Sequence, residues 1–241
     1  MTLPAVWLLH TNDIPAGSDA CRALGALLSE DERARQQRYR SSDARHQFLL
    51  SRVLLRRVLG SISGERPRSL QFHVAKSGKP QLVQEPELRF SLSHSGQWIA
   101  LTVSCETDIG VDIEQPVRPR NFLGIANQYF HPDEQSLLTS SPPELLPVHF
   151  YRLWTMKEAF FKSRGTGLSE GLSRINLAGF HLGQAIQFAE DLPGASEPWQ
   201  FHYAMLPLPD ANHLHLAVAG TDVGIGEIGQ ERILRGLPEP T

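Results

Sequence analysis

The chain has 241 residues, a formal net charge of −3 at pH 7 and 41% hydrophobic residues. This length accommodates one large domain or two domains of about 120 residues, and the small negative charge argues against a nucleic-acid-binding protein. No run of roughly 18 apolar residues predicts a transmembrane helix, and residues 1–19 lack the features of a signal peptide. Two cysteines, Cys21 and Cys105, provide no disulfide framework. We therefore expect a cytoplasmic protein that is not associated with a membrane.

The first half of the chain alternates between predicted helices and short strands. Residues 18–39 are predicted to be helical, and Ser42 and Asp43 can cap a further helix that ends at Gly60. The predicted strands are residues 4–10, 70–75, 88–92, 98–104 and 107–114. We expect the last three of these strands to pair antiparallel through short turns.

The second half follows a predicted linker at residues 115–120, where two prolines stiffen the chain. Its predicted helices are residues 122–129, 132–138 and 148–163, and its predicted strands are residues 186–188, 199–204 and 213–219. Gly165 is expected to end the longest helix. From Gly220 onward, glycine, proline and charged residues predict a loosely held tail.

The predicted strand Gly110–Glu114 carries two carboxylates on one face. Val111 and Ile113 point one way in an alternating strand, while Asp112 and Glu114 point the other way. Paired hard oxygen donors suit Mg²⁺. The alternative is an ordinary solvated strand face.

A third carboxylate and a cation follow on the predicted helix 148–163. Glu158 and Lys162 are four residues apart and therefore share a face of that helix. Together with Asp112 and Glu114 they could form a site for a metal-bound, phosphorylated substrate. The alternative is a surface ion pair worth about 0.2–0.5 kcal/mol.

Three further segments could bind an anionic ligand. A glycine-containing turn, Lys76–Pro80, places two ammonium groups beside an accessible backbone, and Ser93–Gly96 places His94 between two hydroxyls. Eight arginines occur within residues 33–57, as expected for a phosphate-binding wall. A plain turn, a structural histidine and a solvated helix face are the respective alternatives. A zinc role for His94 is not expected, because the other histidines lack ligand spacing.

In this order, the segments resemble the Sfp-type 4′-phosphopantetheinyl transferases. The resemblance spans residues 76–168 and rests on Gly78–Pro80, Ser93–Gly96, Gly110–Glu114, Trp154–Lys162 and Gly165–Leu168. It implies an α+β fold with pseudo-twofold symmetry, in which two similar halves enclose the active site. The expected halves are residues 1–114 and 121–241, joined by the linker 115–120, and a monomer is expected.

The resemblance also implies a reaction and its residues. The family moves 4′-phosphopantetheine from coenzyme A to a serine of an acyl or peptidyl carrier protein, with Mg²⁺, and releases adenosine 3′,5′-bisphosphate. By carry-over, the metal ligands are Asp112, Glu114 and Glu158. Lys162 would stabilise the leaving phosphate, and either Glu158 or a metal-bound water would be the general base. The residues expected to contact coenzyme A are Arg35, Lys76, Ser77, Gly78, Lys79, Pro80, Ser93, His94, Asp112, Glu158 and Lys162.

Two other classes of protein fit parts of the pattern. A different Mg²⁺-dependent phosphate enzyme, such as a nucleotide hydrolase, would use similar carboxylates, but the sequence contains no G-x-x-x-x-G-K-[ST] motif. A non-catalytic module that binds the coenzyme or the carrier is the second alternative. The complete set of three acids and Lys162 argues against it, because a binding module could lose them.

Overall fold

The computed structural model of the protein describes residues 3–75, 78–105, 107–167, 171–209, 212–221, 223–225, 228 and 233–238. Its α-helices are α1 (Asp19–Leu24), α2 (Glu30–Gln37), α3 (Ser42–Ser63), α4 (Phe122–Tyr129), α5 (Pro132–Thr139) and α6 (Leu146–Arg164). Its strands are β1 (Ala5–His10), β2 (Phe72–Val74), β3 (Pro80–Leu82), β4 (Leu88–Ser95), β5 (Trp98–Cys105), β6 (Ile109–Glu114), β7 (Ile175–Asn176), β8 (Gln187–Phe188), β9 (Gln200–Pro207), β10 (His213–Gly220) and β11 (Ile233–Arg235).

The chain forms two compact units. The first comprises Met1–Thr107 with Ile228–Thr241, and the second comprises Asp108–Glu227. Each unit has a hydrophobic core between one long helix and a mainly antiparallel sheet. The α+β fold class expected from the sequence is therefore confirmed. No helix in the described part of the chain is long and apolar enough to span a membrane.

The first unit is built on a sheet with the strand order β11-β1-β5-β4. Strand β5 pairs antiparallel with both β1 and β4, whereas β11 runs parallel to β1. Helix α3 supplies a stripe of fully buried residues at helical spacing, including Leu50, Val53 and Leu54, to the core of this unit.

The ends of α3 differ from those predicted. Its N-cap is Ser41, whose hydroxyl accepts a hydrogen bond from the Ala44 amide at 3.0 Å. It continues past Gly60 and ends at Gly64, which has a φ of 75°. Glycine is favoured at such a left-handed C-terminal position. Gly60 lies inside the helix and allows the segment that follows the helix to pack closely on it, since a Cβ there would lie 2.8 Å from the Glu65 carbonyl oxygen.

The predicted continuous helix at residues 18–39 is wrong. Helices α1 and α2 are separate, with a 3-10 turn at Gly25–Leu27 between them. Ser18 and Ser29 each accept a hydrogen bond from a backbone amide and so begin a new helix. Two good N-caps within twelve positions favour two short helices over one long helix.

The second unit is built on an antiparallel sheet with the strand order β6-β10-β9, covered by α6. The prediction that β6 pairs with β5 is wrong, because β6 pairs with β10 along its whole length. Ile109, Val111 and Ile113 are almost completely buried. The opposite face packs on α6, where a Cβ at Gly110 would overlap the Ala159 carbonyl oxygen.

The boundary between the units lies before β6, at Thr107/Asp108, rather than at the expected linker. Residues 115–120, all within the described part of the chain, form neither helix nor strand. Because β6 shares its sheet with β10, its carboxylates belong to the same unit as α6.

The prediction of a loosely held tail is wrong for residues 233–237. Strand β11 pairs with Val6, Trp7 and Leu8 of β1, and both Leu234 and Leu237 pack against the core of the first unit. Burial of these leucines compensates for the low local propensity of the glycine- and proline-rich segment.

Candidate active site

Strand β6 and helix α6 bring Asp112 and Lys162 together. The Asp112 Oδ1 atom accepts a hydrogen bond from Lys162 Nζ at 2.6 Å, and Asp112 is only 4% exposed. The interpretation of this strand face as an ordinary solvated surface is therefore wrong. Gly110 contributes to the contact, because the absence of a side chain there lets the strand approach α6 closely.

Glu158 lies in the same electrostatic environment. Burial, together with the negative charges of Asp112 and Glu114, raises the pKa of Glu158 to about 7, against the opposing effect of the Lys162 ammonium group. These four side chains, called the acidic cluster below, therefore influence one another's charge. A carboxyl with a pKa near neutrality can exchange a proton under physiological conditions.

Arg120 is an additional member of this neighbourhood that the sequence did not reveal. Its Nη2 atom lies 3.5 Å from Glu114 Oε2, and its guanidinium group lies 5.5 Å from the centre of the Tyr151 ring. The contact between Glu114 and Arg120 depends on how the chain turns after β6. The spacing of residues in the sequence does not define that turn.

The donor chemistry of the acidic cluster suits Mg²⁺. Asp112, Glu114 and Glu158 offer only carboxylate oxygens, the ligand type that Mg²⁺ prefers. The effect of the first two on the pKa of the third requires their charges to be close enough to interact. Among the residues that the structure describes, however, no group of three or more His, Cys, Asp or Glu side chains is already arranged to hold a metal ion.

A buried ion pair lies next to Glu158 along α6. Lys157 Nζ is 2.9 Å from Glu134 Oε2 of α5, and both side chains are fully buried. Lys157 also donates hydrogen bonds to the carbonyl oxygens of Leu172 and Ile175. Burial lowers the pKa of Lys157 to about 8 despite the stabilising charge of Glu134.

Two backbone amides also hold Glu134 in place. It accepts one from the Leu177 amide at 2.8 Å and another from the His131 amide at 3.0 Å. The Lys157–Glu134 pair thus joins α6, α5 and the segment around β7, and it has a structural role. The available sequence signal is that Lys157 continues the buried stripe of Phe150 and Leu153, where a lysine requires a buried acid.

The first unit contains a cavity of about 370 Å³ that brings together three of the residues expected to contact coenzyme A, namely Arg35, Ser93 and His94. Ser93 is buried and His94 is exposed at the end of β4. The remaining lining residues are Tyr39, Ala44, Gln47, Phe48, Ser51, Arg52 and Leu92. We call this space the arginine cavity.

Three more of the expected coenzyme contacts lie between β2 and the start of β3. Gly78 has a φ of 85° and donates a hydrogen bond to the Ala75 carbonyl oxygen, Lys79 is 9% exposed, and Pro80 begins β3. None of these three is among the residues that line the arginine cavity. Lys76 and Ser77, as well as Leu168 of the last motif, lie outside the described residues.

The arginine-rich segment combines structural and cavity-lining side chains. Arg56 is 1% exposed and donates to the carbonyl oxygens of Pro67 and Leu70. Arg35 and Arg52, by contrast, line the arginine cavity. The sequence did not distinguish these two roles, because both place arginines along the same pair of helices.

Two protein families match the chain, one in each half. The family described as the 4′-phosphopantetheinyl transferase superfamily matches residues 108–219, and the family described as 4′-phosphopantetheinyl transferase, N-terminal, matches residues 15–106. Together these two matches include both the arginine cavity and the acidic cluster.

Similar proteins occur in several bacteria. The chain is 36% identical to the 4′-phosphopantetheinyl transferase psf-1 of Bacillus pumilus, over 67% of this chain and 68% of that protein. It is 33% identical to a 4′-phosphopantetheinyl transferase of Bacillus subtilis, over 72% of this chain and 75% of that protein. It is also 30% identical to the 4′-phosphopantetheinyl transferase Sfp of Bacillus subtilis strain 168, over 77% and 80% respectively. The resemblance noted from the sequence motifs is confirmed, and the chain belongs to the 4′-phosphopantetheinyl transferase superfamily.

Proposed function

We propose that the protein transfers the 4′-phosphopantetheine group of coenzyme A to a serine hydroxyl of an acyl or peptidyl carrier protein. The reaction uses Mg²⁺ and releases adenosine 3′,5′-bisphosphate. The observation that carries this proposal is the acidic cluster, in which the buried Asp112 pairs with Lys162 beside a carboxyl group of pKa about 7. Family membership gives the transferase class.

Asp112, Glu114 and Glu158 are the residues that would hold Mg²⁺. A bound Mg²⁺ would neutralise phosphate charge and orient the diphosphate of the coenzyme. Lys162 supplies a protein cation within hydrogen-bonding distance of Asp112. Such a cation stabilises the negative charge that grows on the leaving phosphate, which is adenosine 3′,5′-bisphosphate in this reaction.

The serine hydroxyl of the carrier must lose a proton as it attacks the phosphorus atom. The base is either Glu158 or a water bound to the metal, because Glu158 is also a proposed Mg²⁺ ligand and its pKa of about 7 belongs to the metal-free protein.

The arginine cavity is our candidate for part of the coenzyme A site. Arg35 and His94 can contact phosphate oxygens, and the Ser93 hydroxyl can do the same as a neutral donor. Gly78 and Lys79 remain candidates for contacts to the nucleotide, as the family resemblance implies.

Mass spectrometry of an apo carrier protein tests the proposal directly. The carrier is incubated with coenzyme A, Mg²⁺ and the protein, and a mass gain of one phosphopantetheine on its serine is the expected result. Matched reactions lack coenzyme A or use Lys162→Ala. Coenzyme binding without a mass gain on acyl or peptidyl carriers would support a binding module, and release of phosphate from a nucleotide would support a hydrolase.

A further inference from the structure

His215 of β10 lies directly opposite Glu114 of β6 in the sheet of the second unit. Residues that are directly opposite on antiparallel strands project from the same face of the sheet, with Cβ atoms about 4.5–5.5 Å apart. This is the face that packs on α6, as the close approach of Gly110 to that helix shows. His215 is 3% exposed, so its imidazole ring is buried beside a proposed ligand of Mg²⁺.

Tyr203 of β9 holds the ring of His215 from the other side of β10. The Tyr203 Oη atom lies 2.7 Å from His215 Nδ1. The two residues are diagonal neighbours in the sheet, because the residue opposite Tyr203 is Ala217, two positions from His215. Burial, with a smaller effect of His213, lowers the pKa of His215 to about 4, so the ring is neutral at pH 7. A buried ring whose nitrogen is hydrogen-bonded in this way has a restricted orientation.

The ring of His215 packs against Tyr151 of α6. The two rings are stacked, with centroids 5.0 Å apart and an angle of 29° between their planes. The Arg120 guanidinium group lies 5.5 Å from the centre of the Tyr151 ring, and Arg120 Nη2 lies 3.5 Å from Glu114 Oε2. Burial raises the pKa of Tyr151, while Arg120 opposes this effect and Glu114 adds to it. A continuous series of contacts therefore connects Tyr203 with the carboxylate of Glu114.

The orientation of Glu114 matters because Mg²⁺ demands near-ideal octahedral geometry from its ligands. Glu114 is the last residue of β6, and its side chain is 15% exposed. A glutamate side chain also has considerable rotational freedom to lose when it becomes a ligand. Groups that contact a metal ligand without contacting the metal reduce this freedom, and their loss typically weakens metal binding about tenfold to a hundredfold.

We propose that His215 is a positioning residue for Glu114, and that Tyr203 fixes His215 in this role, so that the pair strengthens Mg²⁺ binding at the acidic cluster. The inference rests on the function proposed above, because it needs the Mg²⁺ site of that function. The competing explanation is that His215 and Tyr203 only stabilise the packing of the sheet on α6. In that case, their substitution would lower the melting temperature of the metal-free protein and leave its metal affinity unchanged.

Electron paramagnetic resonance of Mn²⁺, added to the full chain with coenzyme A, measures metal binding without measuring transfer. Mn²⁺ serves as the probe because it prefers the same oxygen ligands as Mg²⁺. His215→Ala should weaken Mn²⁺ binding about tenfold to a hundredfold. Tyr203→Phe keeps the ring and loses one hydrogen bond, so a loss of about twofold to tenfold is expected. His181→Ala removes an exposed imidazole of the same unit and is the matched control.

Steady-state kinetics provides a second readout. The Mg²⁺ concentration that gives half of the maximal transfer rate should rise in both variants. The KM for coenzyme A, measured at saturating Mg²⁺, should change little, because neither residue is among the expected coenzyme contacts. A role in stability alone would not change the Mg²⁺ requirement of the folded protein.

The Mn²⁺ affinities decide between the two explanations. An unchanged affinity in His215→Ala would overturn the positioning role and leave the transferase function intact. If the wild-type protein binds no more Mn²⁺ than coenzyme A alone, the proposed metal site and the positioning role both fail. If His215→Ala does not fold, as judged by circular dichroism, Tyr203→Phe provides the same comparison, and an unchanged affinity in that variant would overturn the positioning role.

Discussion

The Asp112 carboxylate pairs with Lys162 and is also a proposed ligand of Mg²⁺. It is almost fully buried and pairs with Lys162 at 2.6 Å, and its negative charge raises the pKa of Glu158. A buried carboxylate is tolerated when cations and hydrogen-bond donors surround it. Both Lys162 and the proposed Mg²⁺ are cations that can compensate the buried negative charge of Asp112.

Asp112→Ala is expected to abolish transfer while the protein remains folded. The variant loses a proposed Mg²⁺ ligand and also leaves Lys162 without this carboxylate partner. Transfer rates measured over a Mg²⁺ titration check the expectation, with Asp191→Ala as the control because that carboxylate is exposed and pairs with Arg174. A near wild-type rate at high Mg²⁺ would show that Asp112 is not a metal ligand.

Lys162→Ala is expected to lower kcat more than it raises the KM for coenzyme A. A cation beside the leaving phosphate acts where charge develops, and losing such a group typically reduces the rate by about 10²–10³-fold. Steady-state kinetics with varied coenzyme A separates the two effects. An unchanged kcat with a raised KM would mean that Lys162 only positions the coenzyme.

Glu158 should make the metal-free protein less stable as the pH rises. Its pKa is raised from 4.5 to about 7 in the folded state, so the unfolded chain releases this proton first. The folded state then binds more protons than the unfolded state, and the free energy of unfolding falls across that pH interval. The Glu158→Gln variant has no ionisable group at this position and should not show this decrease in the free energy of unfolding.

Thermal denaturation in EDTA at pH 5 and pH 8 provides the measurement for Glu158. Relative to wild type, Glu158→Gln should gain stability at pH 8 compared with pH 5. Adding Mg²⁺ at pH 8 should stabilise the wild type more than the variant, because the metal compensates the ionised carboxylate. Parallel pH profiles of the two proteins would contradict the raised pKa.

At the scale of elements, local patterns were sufficient for the helices that surround the acidic cluster. The prediction placed a helix at 148–163, and α6 spans Leu146–Arg164 and ends at Gly165 with a φ of 73°. Residues 122–129 coincide with α4. These elements could be predicted because caps, glycine stops and apolar spacing are properties of a short segment.

Pairing between distant segments could not be predicted in the same way. The partner of β6 is β10, about a hundred positions later, whereas the sequence favoured the adjacent β5 because neighbouring strands often pair. For the site, the motif identified Asp112 and Lys162, but the contact of Arg120 with Glu114 depends on how residues 115–120 return along the strand. Tertiary contacts of this kind produce no periodic pattern of residues in the sequence, so they cannot be predicted from a short segment.

Substitution of Lys157 tests how much the buried ion pair between α6 and α5 contributes to stability. Lys157→Met leaves the carboxylate of Glu134 buried without its cation, which typically costs about 3–5 kcal/mol. The double variant Lys157→Met/Glu134→Gln removes both charges and should recover part of that loss. Urea unfolding measures the effect, with Arg174→Ala, which breaks the pair with the exposed Asp191, expected to cost less than about 1 kcal/mol. A loss as small as that of Arg174→Ala would contradict a structural role for the buried pair.

At the scale of the whole molecule, the net charge of −3 does not favour an acidic partner. The carrier proteins expected from the family resemblance are usually acidic, so attraction must come from a local patch of positive charge. In the second unit, Arg118 is exposed, and Val117, Leu123 and Tyr129 are 63%, 37% and 44% exposed. This combination of a cation and apolar side chains matches the charge and apolar surface of such a partner.

Arg118→Glu is expected to raise the KM for the carrier protein with little effect on the KM for coenzyme A. The reversed charge would repel an acidic carrier, and the wild-type KM should itself rise with salt because exposed charges are screened beyond about 8 Å at physiological ionic strength. Kinetics with varied carrier at low and high salt measures both effects, and Arg68→Glu applies the same charge change to an exposed arginine of the first unit. The variant should be less sensitive to salt than the wild type, because the attraction that salt screens has been removed. A carrier KM that responds to neither salt nor Arg118→Glu would exclude charge as the basis of recognition at this surface and leave the exposed apolar residues as its remaining source.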